Sequence, residues 1–414
     1  MKVSGMESWQ RQMWILWFGV LLCSSSYTMV IPLLPLFLPE LGVSDDSVYW
    51  WAGIVQASAF LIGAVMAPLW GSLADKYGKR KMVIRAGLSL AVVYSLMAFV
   101  HNPWELIGIR MLQGFVGGFV PASMAIVASI APESRLGWSL GTMQAASMTG
   151  SIMGPLLGGL LAQTFGQRQS FVVAGVFLLL ATAAVFFFVH EGKTGTASAG
   201  SPQKTSMLRE YRDALHNKRL LNLLLLLLLF QLSVNMVQPL LTLHIADMQG
   251  GVKDAAATAG FVLSLIGIAG ILASPQWGRV GEKHGYMRVL VFCLIAAGCV
   301  ICTQYFVHQL WLFTVVQFCF GLFLAGIVPV VNTLVVQSTD SSFRGRSFGM
   351  TTSANQLGQL LGPLIGGGMG MFLGIQWLFV TTGTLLATAG VAVALRSALK
   401  HVPRGRAGYS DQPR

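Results

Sequence analysis

The sequence predicts an all-α integral membrane protein, with twelve transmembrane helices arranged as two pseudo-symmetric six-helix bundles. Three observations carry that prediction. Apolar runs near the ~20 residues a helix needs to cross a bilayer recur along the whole chain. Charge is scarce, 10% of residues against 54% hydrophobic, where soluble domains carry roughly a quarter charged. The charged stretch Gly71-Ser-Leu-Ala-Asp75-Lys-Tyr-Gly78-Lys79-Arg80-Lys81 also returns half a chain later. Pro68, Trp70, Gly71, Asp75, Lys76, Gly78 and Lys81 reappear as Pro275, Trp277, Gly278, Glu282, Lys283, Gly285 and Arg288, all at one shift. A chain that repeats a charged loop in this way reads as two copies of one module.

The spans run 13–38, 50–72, 82–101, 103–130, 136–163, 168–190, 219–246, 256–276, 287–307, 309–336, 344–371 and 374–398. A membrane β-barrel needs short alternating segments, and these runs are continuously apolar. They divide the chain into a first bundle at 1–190, a cytoplasmic linker at 191–218, a second bundle at 219–400 and a cytoplasmic tail at 401–414. The net charge of +12 raises the thought of nucleic acid, but its distribution follows the membrane instead. With both termini cytoplasmic, the inner loops collect nearly all the Lys and Arg, and the outer loops hold only Arg168 and Lys253. The expected setting is a multi-pass protein of the cell membrane in contact with the lipid bilayer, with no nucleic-acid partner. Its five cysteines all fall inside spans and suggest neither a disulfide framework nor a metal site. The N-terminal run is too long for a signal peptide and reads as a retained first helix.

Span 1 carries a polar cluster, Ser24 to Thr28, with Tyr27 in it. Pro32, Pro35 and Pro39 then break its regularity, so the kink should face protein or cavity water. The outer loop that follows holds Glu40, Asp45 and Asp46 before the interfacial aromatics Tyr49, Trp50 and Trp51. Gln56 of span 2 joins Tyr27 as a candidate substrate contact. The Gly71–Lys81 stretch is expected to be a tight cytoplasmic turn: Gly71 for close helix approach, Gly78 for a positive φ, Asp75 as an acceptor for backbone amides or an arginine, and Arg80 among its cations.

Span 4 carries the deepest charge, Arg110, followed by Gln113, Gly114, Gly117 and Gly118. A lipid-facing arginine costs about 2.5–3.5 kcal/mol even on the gentler insertion scales, so Arg110 must face the bundle interior or a watery cavity. Span 5 holds Gly150, Gly154-Pro155 and Gly158-Gly159. This small-residue surface lets two backbones touch, with a proline at its centre. With one residue added to the shift, the second half replays it as Gly358, Gly362-Pro363 and Gly366-Gly367, while Arg110 becomes Gln317. Amides at helical spacing mark the second half: Gln231, Asn235 and Gln238 in span 7, Asn332 in span 10, Asn355 and Gln359 in span 11. Each set seeks either another helix or the water of a central cavity.

Together these motifs resemble the major facilitator superfamily, and within it the twelve-helix drug:proton antiporters that export multiple drugs. Gly71 to Lys81 is similar to the superfamily's signature between helices 2 and 3, Arg110-x2-Gln113-Gly114 to a helix 4 signature linked to proton transfer, and Gly150 to Gly159 to the helix 5 antiporter signature. The resemblance implies an exporter, not an enzyme, that works by rocking 1–190 against 219–400. Asp75 then bridges the halves when the cytoplasmic side is closed. Arg110, Asp75, Gly71, Gly78, Arg80, Gly154 and Pro155 serve coupling or gating. An amphipathic or cationic organic substrate binds near the midplane between helices 1, 4, 7 and 10, reached by Tyr27, Gln56, Arg110 and the second-half amides. The proton gradient replaces any cofactor, and the protein works as a monomer. No carboxylate lies deep in a span, which leaves His244 or the outer acids as the titrating group. A symporter or facilitator of a small metabolite is the alternative on the same scaffold.

Overall fold

The computed structural model describes residues 7–189, 217–251, 254–338 and 344–399; the expected linker, but for its last two residues, and the expected tail lie outside them. Fifteen α-helices follow one another among the described residues, with no strand: α1 Ser8–Met29, α2 Leu33–Phe37, α3 Val48–Tyr77, α4 Lys79–Met97, α5 Pro103–Val116, α6 Phe119–Ile130, α7 Leu136–Phe165, α8 Gln167–Phe188, α9 Lys218–Val237, α10 Leu241–Gln249, α11 Ala255–His284, α12 Tyr286–Thr303, α13 Leu310–Gln337, α14 Arg344–Leu373 and α15 Ile375–Leu399. They make twelve rods, because three of the expected spans are split. The α1 rod bends by 42° into the α2 segment where Pro32 and Pro35 interrupt the backbone ladder. The α9 and α10 helices part around Pro239, and α5 and α6 at Gly117 and Gly118. Among the described residues nine rods are long and apolar enough to cross a bilayer, and the bent first rod is a tenth. The other two, α4 and α14, are richer in polar residues yet pack among the rest.

The charged repeat is not a loop. Gly71 to Tyr77 continue α3, Lys79 opens α4, and Gly78 alone turns the chain at φ +98° and ψ 136°. Its N–H still donates to the Ala74 carbonyl at 3.1 Å, so the helix ends with a hydrogen bond and reverses in one residue. An L side chain rarely adopts that φ, which is why glycine stands there. Gly285 repeats the turn between α11 and α12 at φ +92° and ψ 130°. Gly71 does not serve the close approach expected of it. A Cβ there would meet nothing within 4 Å, and the same is true at its counterpart Gly278.

The two bundles are built alike. In the first, α1 packs on α7, α3 on α5 and α4 on α8; in the second, α9 packs on α14, α11 on α13 and α12 on α15. Gly150, Gly154 and Gly158 seat α7 against the α1 backbone at Leu21, Ser25 and Met29, while Gly358, Gly362 and Gly366 seat α14 against α9 at Leu228, Leu232 and Met236. The next glycine of each set faces the opposite bundle. A Cβ on Gly159 would run into the Ala256 carbonyl of α11, and one on Gly367 into the Tyr49 carbonyl of α3. Two seams therefore join the halves, α7 with α11 and α3 with α14.

Helix ends sort into two faces: the Gly78 and Gly285 turns lie on the face where α1 begins and α15 ends, the α2–α3 and α10–α11 connections on the other. Among the described residues, side-chain hydrogen bonds between the halves are found at that other face. The Tyr49 hydroxyl donates to Asp247 Oδ2 at 3.1 Å and the Gln163 amide to Asp254 Oδ1 at 2.7 Å. Deeper in the α7–α11 seam, Ser264 Oγ donates to the Ile152 carbonyl at 2.5 Å. The perimeter exposes large apolar groups, with Phe187 66%, Phe306 77% and Phe372 81% exposed. A band of such residues belongs against lipid, as the perimeter of a multi-pass membrane protein.

Candidate functional site

The α5 helix starts with a reciprocal cap. Asn102 Oδ1 accepts from the Glu105 N–H at 2.9 Å, and Glu105 in return accepts from Asn102 Nδ2 at 2.7 Å and the His101 N–H at 2.8 Å. Glu105 is thus occupied at the helix end, away from Arg110. Further along the helix, Arg110 is 2% exposed and bound to neutral acceptors. Its Nε donates to the Val55 carbonyl at 3.2 Å, Nη1 to Gln113 Oε1 at 2.6 Å and Nη2 to Gln56 Oε1 at 2.9 Å. Gln113 then donates to the Tyr94 hydroxyl at 2.7 Å. Among the described residues no carboxylate reaches this guanidinium. Burying an arginine is tolerable here because its planar fork meets acceptors on three sides. Gln56, expected as a substrate contact, is instead 5% exposed and spent on Arg110.

Beyond Gln113 the backbone breaks. Gly114 sits where a Cβ would strike the Ala59 carbonyl of α3, and Gly118 takes φ +114° and ψ 7° before α6 begins. A helix broken inside an apolar bundle leaves carbonyls that need donors. Trp70 Nε1 donates to the Phe115 carbonyl at 2.5 Å, and Arg85 Nη2 to the Gly117 carbonyl at 3.0 Å. The Arg85 guanidinium lies 3.4 Å over the Trp70 ring centroid.

A cavity of about 480 Å³ opens beside this break, towards the face of the Gly78 turn. The first bundle lines it with Tyr27, Phe60, Trp70, Lys79, Arg85 and Gln113 among smaller residues, and α14 closes it with Gln356 and Gln359. A second hollow of about 350 Å³ shares Tyr27, Gln113, Gly117, Gly118 and Pro121 and reaches Ser24, Tyr94, Ser147 and Ser151. Two of the expected contacts, Tyr27 and Gln359, line the larger cavity, and Gly71 adjoins it. Arg110 stands one residue behind it, through Gln113. The amides of α9 lie elsewhere: Asn235 Nδ2 donates within its own helix to the Gln231 carbonyl at 2.8 Å. Gln238, Asn332 and Asn355 are half-buried away from the cavity, and Asn355 Oδ1 is buried with no hydrogen-bond partner among the described residues. The cavity is therefore walled by rods of spans 1 to 4 and 11, not by the expected 1, 4, 7 and 10.

Of the expected gating residues, Gly78 makes its turn, and Gly154 packs on α1 beside Ser25 and Thr28. The Pro155 carbonyl is the surface against which Gly260 of α11 closes. Arg80 Nη2 donates to the Phe186 carbonyl at 2.6 Å, tying α4 to α8 inside the first bundle. The side chain of Asp75 lies outside the described part of the structure. Arg85, Tyr94 and Gln356 were not singled out from the sequence, and Trp70 only as part of the repeated stretch. A role for Trp70 and Arg85 could have been read, since a tryptophan and an arginine in neighbouring spans are the donors that a glycine-broken ladder needs.

The Major Facilitator Superfamily model matches residues 16–256 and 254–412. The multidrug resistance protein MdtG of Salmonella dublin is 32% identical over 385 residues, covering 92% of this chain and 94% of that protein. MdtG of Proteus mirabilis is 32% identical over 382 residues with the same coverage. Among solved structures, a bacterial homologue of the human lysosomal transporter Spinster, in an inward-facing and occupied conformation, superposes with a TM-score of 0.81 at 13% identity, over 96% of this chain and 99% of that one. The nucleoside transporter NupG gives 0.77 at 14%, over 94% and 99%. At such identities these structures share the fold alone, while the family match and the MdtG relatives extend over nearly the whole chain, and the chain belongs to the Major Facilitator Superfamily.

Proposed function

We propose that the protein is a secondary active exporter of several amphipathic organic compounds, working by alternating access and driven by the proton gradient. The pair of glycine-lined seams carries this reading. They join two equivalent bundles that meet by hydrogen bonds on one face, beside a cavity leading towards the other. Rocking the bundles about the seams would part the Tyr49–Asp247 face and close the other, moving a bound molecule across without a covalent step. The relatives' name, multidrug resistance protein, supports outward drug transport in particular.

With both termini in the cytoplasm, as the loop charges favour, the joined face is the outer one and the structure represents the inward-facing arm of the cycle. Asp75 would then latch the opposite face when that closes. Asp247 and Asp254, the carboxylates that hold the outer face together, are the groups at which protons would couple to its opening. One chain supplies both walls of the cavity, and the working unit is a monomer without a cofactor.

The test is efflux from cells that lack their own pumps, with the wild-type chain or Arg110→Ala at equal expression. The wild type should lower accumulation of several unrelated drugs, and a protonophore should abolish the effect. Accumulation of a metabolite under an inward proton gradient, with no drug efflux, would replace export with uptake.

A further inference from the structure

The two bundles differ at one matched place on the perimeter. The α12 and α15 helices touch at Gly298 and Gly383, and Gly390 still meets the Leu294 and Ile295 side chains. Past Gly390 they leave a groove of about 460 Å³, lined by Met287, Arg288, Val291, Phe292 and Ile295 of α12 and closed by Ala394 of α15. The α12 residues recur three and four apart and so share one face. Arg288, in the first turn of α12 after Gly285, is the one charge among the groove's described lining residues. Phe292 is exposed on the perimeter, as are Val391 and Leu395 of α15 alongside. Its ring is nevertheless held in place, 5.8 Å from that of Trp277 and 5.9 Å from that of Phe323 between centroids.

The first bundle is built differently there. Gly166 and Gly374 both turn at positive φ, and the shift that pairs them places Phe186 on Ala394. The shift that pairs Gly78 with Gly285 places Arg80 on Met287. Arg80 is bonded to the Phe186 carbonyl and lies over the Phe186 ring, so the first bundle occupies this position with its own side chains. The second bundle has a methyl group there. Its nearby cation Arg396 is engaged, donating to Asn222 Oδ1 at 2.9 Å, whereas among the described residues the Arg288 guanidinium makes no hydrogen bond or ion pair.

A groove that is open to the bilayer, apolar along its length and positive at its headgroup end matches the chemistry of an acidic lipid. We propose that the α12–α15 groove binds one anionic phospholipid, with the phosphate on Arg288 and an acyl chain along Val291, Phe292 and Ile295 beside Ala394. The arginine fork suits a phosphate, and the lipid's net charge offsets a cation that the protein leaves unpaired. The chain would stand where the first bundle has Phe186. This site is separate from the transport cavity, and it holds whatever the transported load is.

The experiment is native mass spectrometry of the full chain in detergent, offered equal amounts of dioleoylphosphatidylglycerol and dioleoylphosphatidylcholine. The first phosphatidylglycerol should be retained about fivefold more than phosphatidylcholine. Equal retention overturns the proposal without needing a variant. Arg288→Gln should remove the preference. Ala394→Phe, which restores the ring of the first bundle but keeps the arginine, should lower retention of that lipid by a similar factor. A preference that survives in Arg288→Gln overturns the site, and one that survives in Ala394→Phe leaves a bare surface cation and overturns the groove. Lys81→Gln, at the matched cation of the first bundle, should change nothing; an equal loss there makes the effect one of net charge and overturns the proposal. Excess glycerol 3-phosphate, a headgroup without chains, should not displace the lipid. Displacement would mark a site for a soluble anion and overturn the lipid.

Discussion

The Tyr49 hydroxyl, in the first turn of α3, donates to the Asp247 carboxylate near the end of α10 at 3.1 Å, joining bundles across 198 positions of sequence. Tyr49→Phe removes the hydroxyl and nothing else. A hydrogen bond to a charged group is worth about 1.5–3 kcal/mol when shielded, and partial exposure brings this pair to about 1 kcal/mol. The population with this face parted should rise about fivefold. Distances between spin labels on the α2–α3 and α10–α11 connections would show it, and an unchanged distribution would count against Tyr49 as a gate residue.

The seams make a second prediction, with its control built in. Gly159→Val and Gly367→Val place side chains where even a Cβ has no room, against the Ala256 and Tyr49 carbonyls. Both should hold the halves apart on the joined face and cut transport by about tenfold or more, at a cost of about 1–3 kcal/mol for overpacking. Gly71→Ala, in open space within α3, should leave transport intact and stabilise by about 0.5–1 kcal/mol. Thermal unfolding and flux measured on the same preparations distinguish the two classes.

Arg110 gives a third. Arg110→Ala leaves Gln56, Gln113 and the Val55 carbonyl without their shared donor, which should cost about 3 kcal/mol or more and abolish efflux. Arg110→Lys keeps the charge but cannot fork towards three acceptors, so it should recover little activity. Full efflux by the lysine variant would show that charge alone matters at this position.

Gly118 gives a fourth. At φ +114° an alanine is strained by about 1–2 kcal/mol, so Gly118→Ala should lower the unfolding temperature and weaken substrate binding together. Normal binding with normal stability would mean that the α5–α6 break is not needed in this form.

The spans and the twofold plan were legible because lipid imposes them. A helix must supply a long apolar run, and the turn at Gly78 must recur at Gly285 wherever the same reversal is built. The interior place of Arg110 was legible for the same reason, since a charge inside an apolar run has nowhere else to go. Its partners were not, because Gln56 comes from another rod and no periodicity links them. The α5–α6 break hid in Gly117 and Gly118, whose small size fits close packing as well as a turn. The α9–α10 break had a visible cause in Pro239 that an uninterrupted apolar run concealed. Gln231 and Asn235 share a helical face as expected, while Gln238 falls past the end of α9; spacing cannot say whether a face bonds to itself or to a cavity, and Asn235 bonds to Gln231.

The split rods carry one more consequence. The α2 helix has five residues and α10 nine, and the two lie against each other on the joined face. Helices of that length do not persist alone in water. Each also packs on its own bundle, α2 on α3 and α10 on α11, but each outward opening strips both of their mutual cover. Amide hydrogens of α2 and α10 should exchange with solvent in step with the transport cycle, faster than those of α1 and α9, from which they are parted by single proline-broken turns. Local melting at this rim then becomes a clock for the whole molecule.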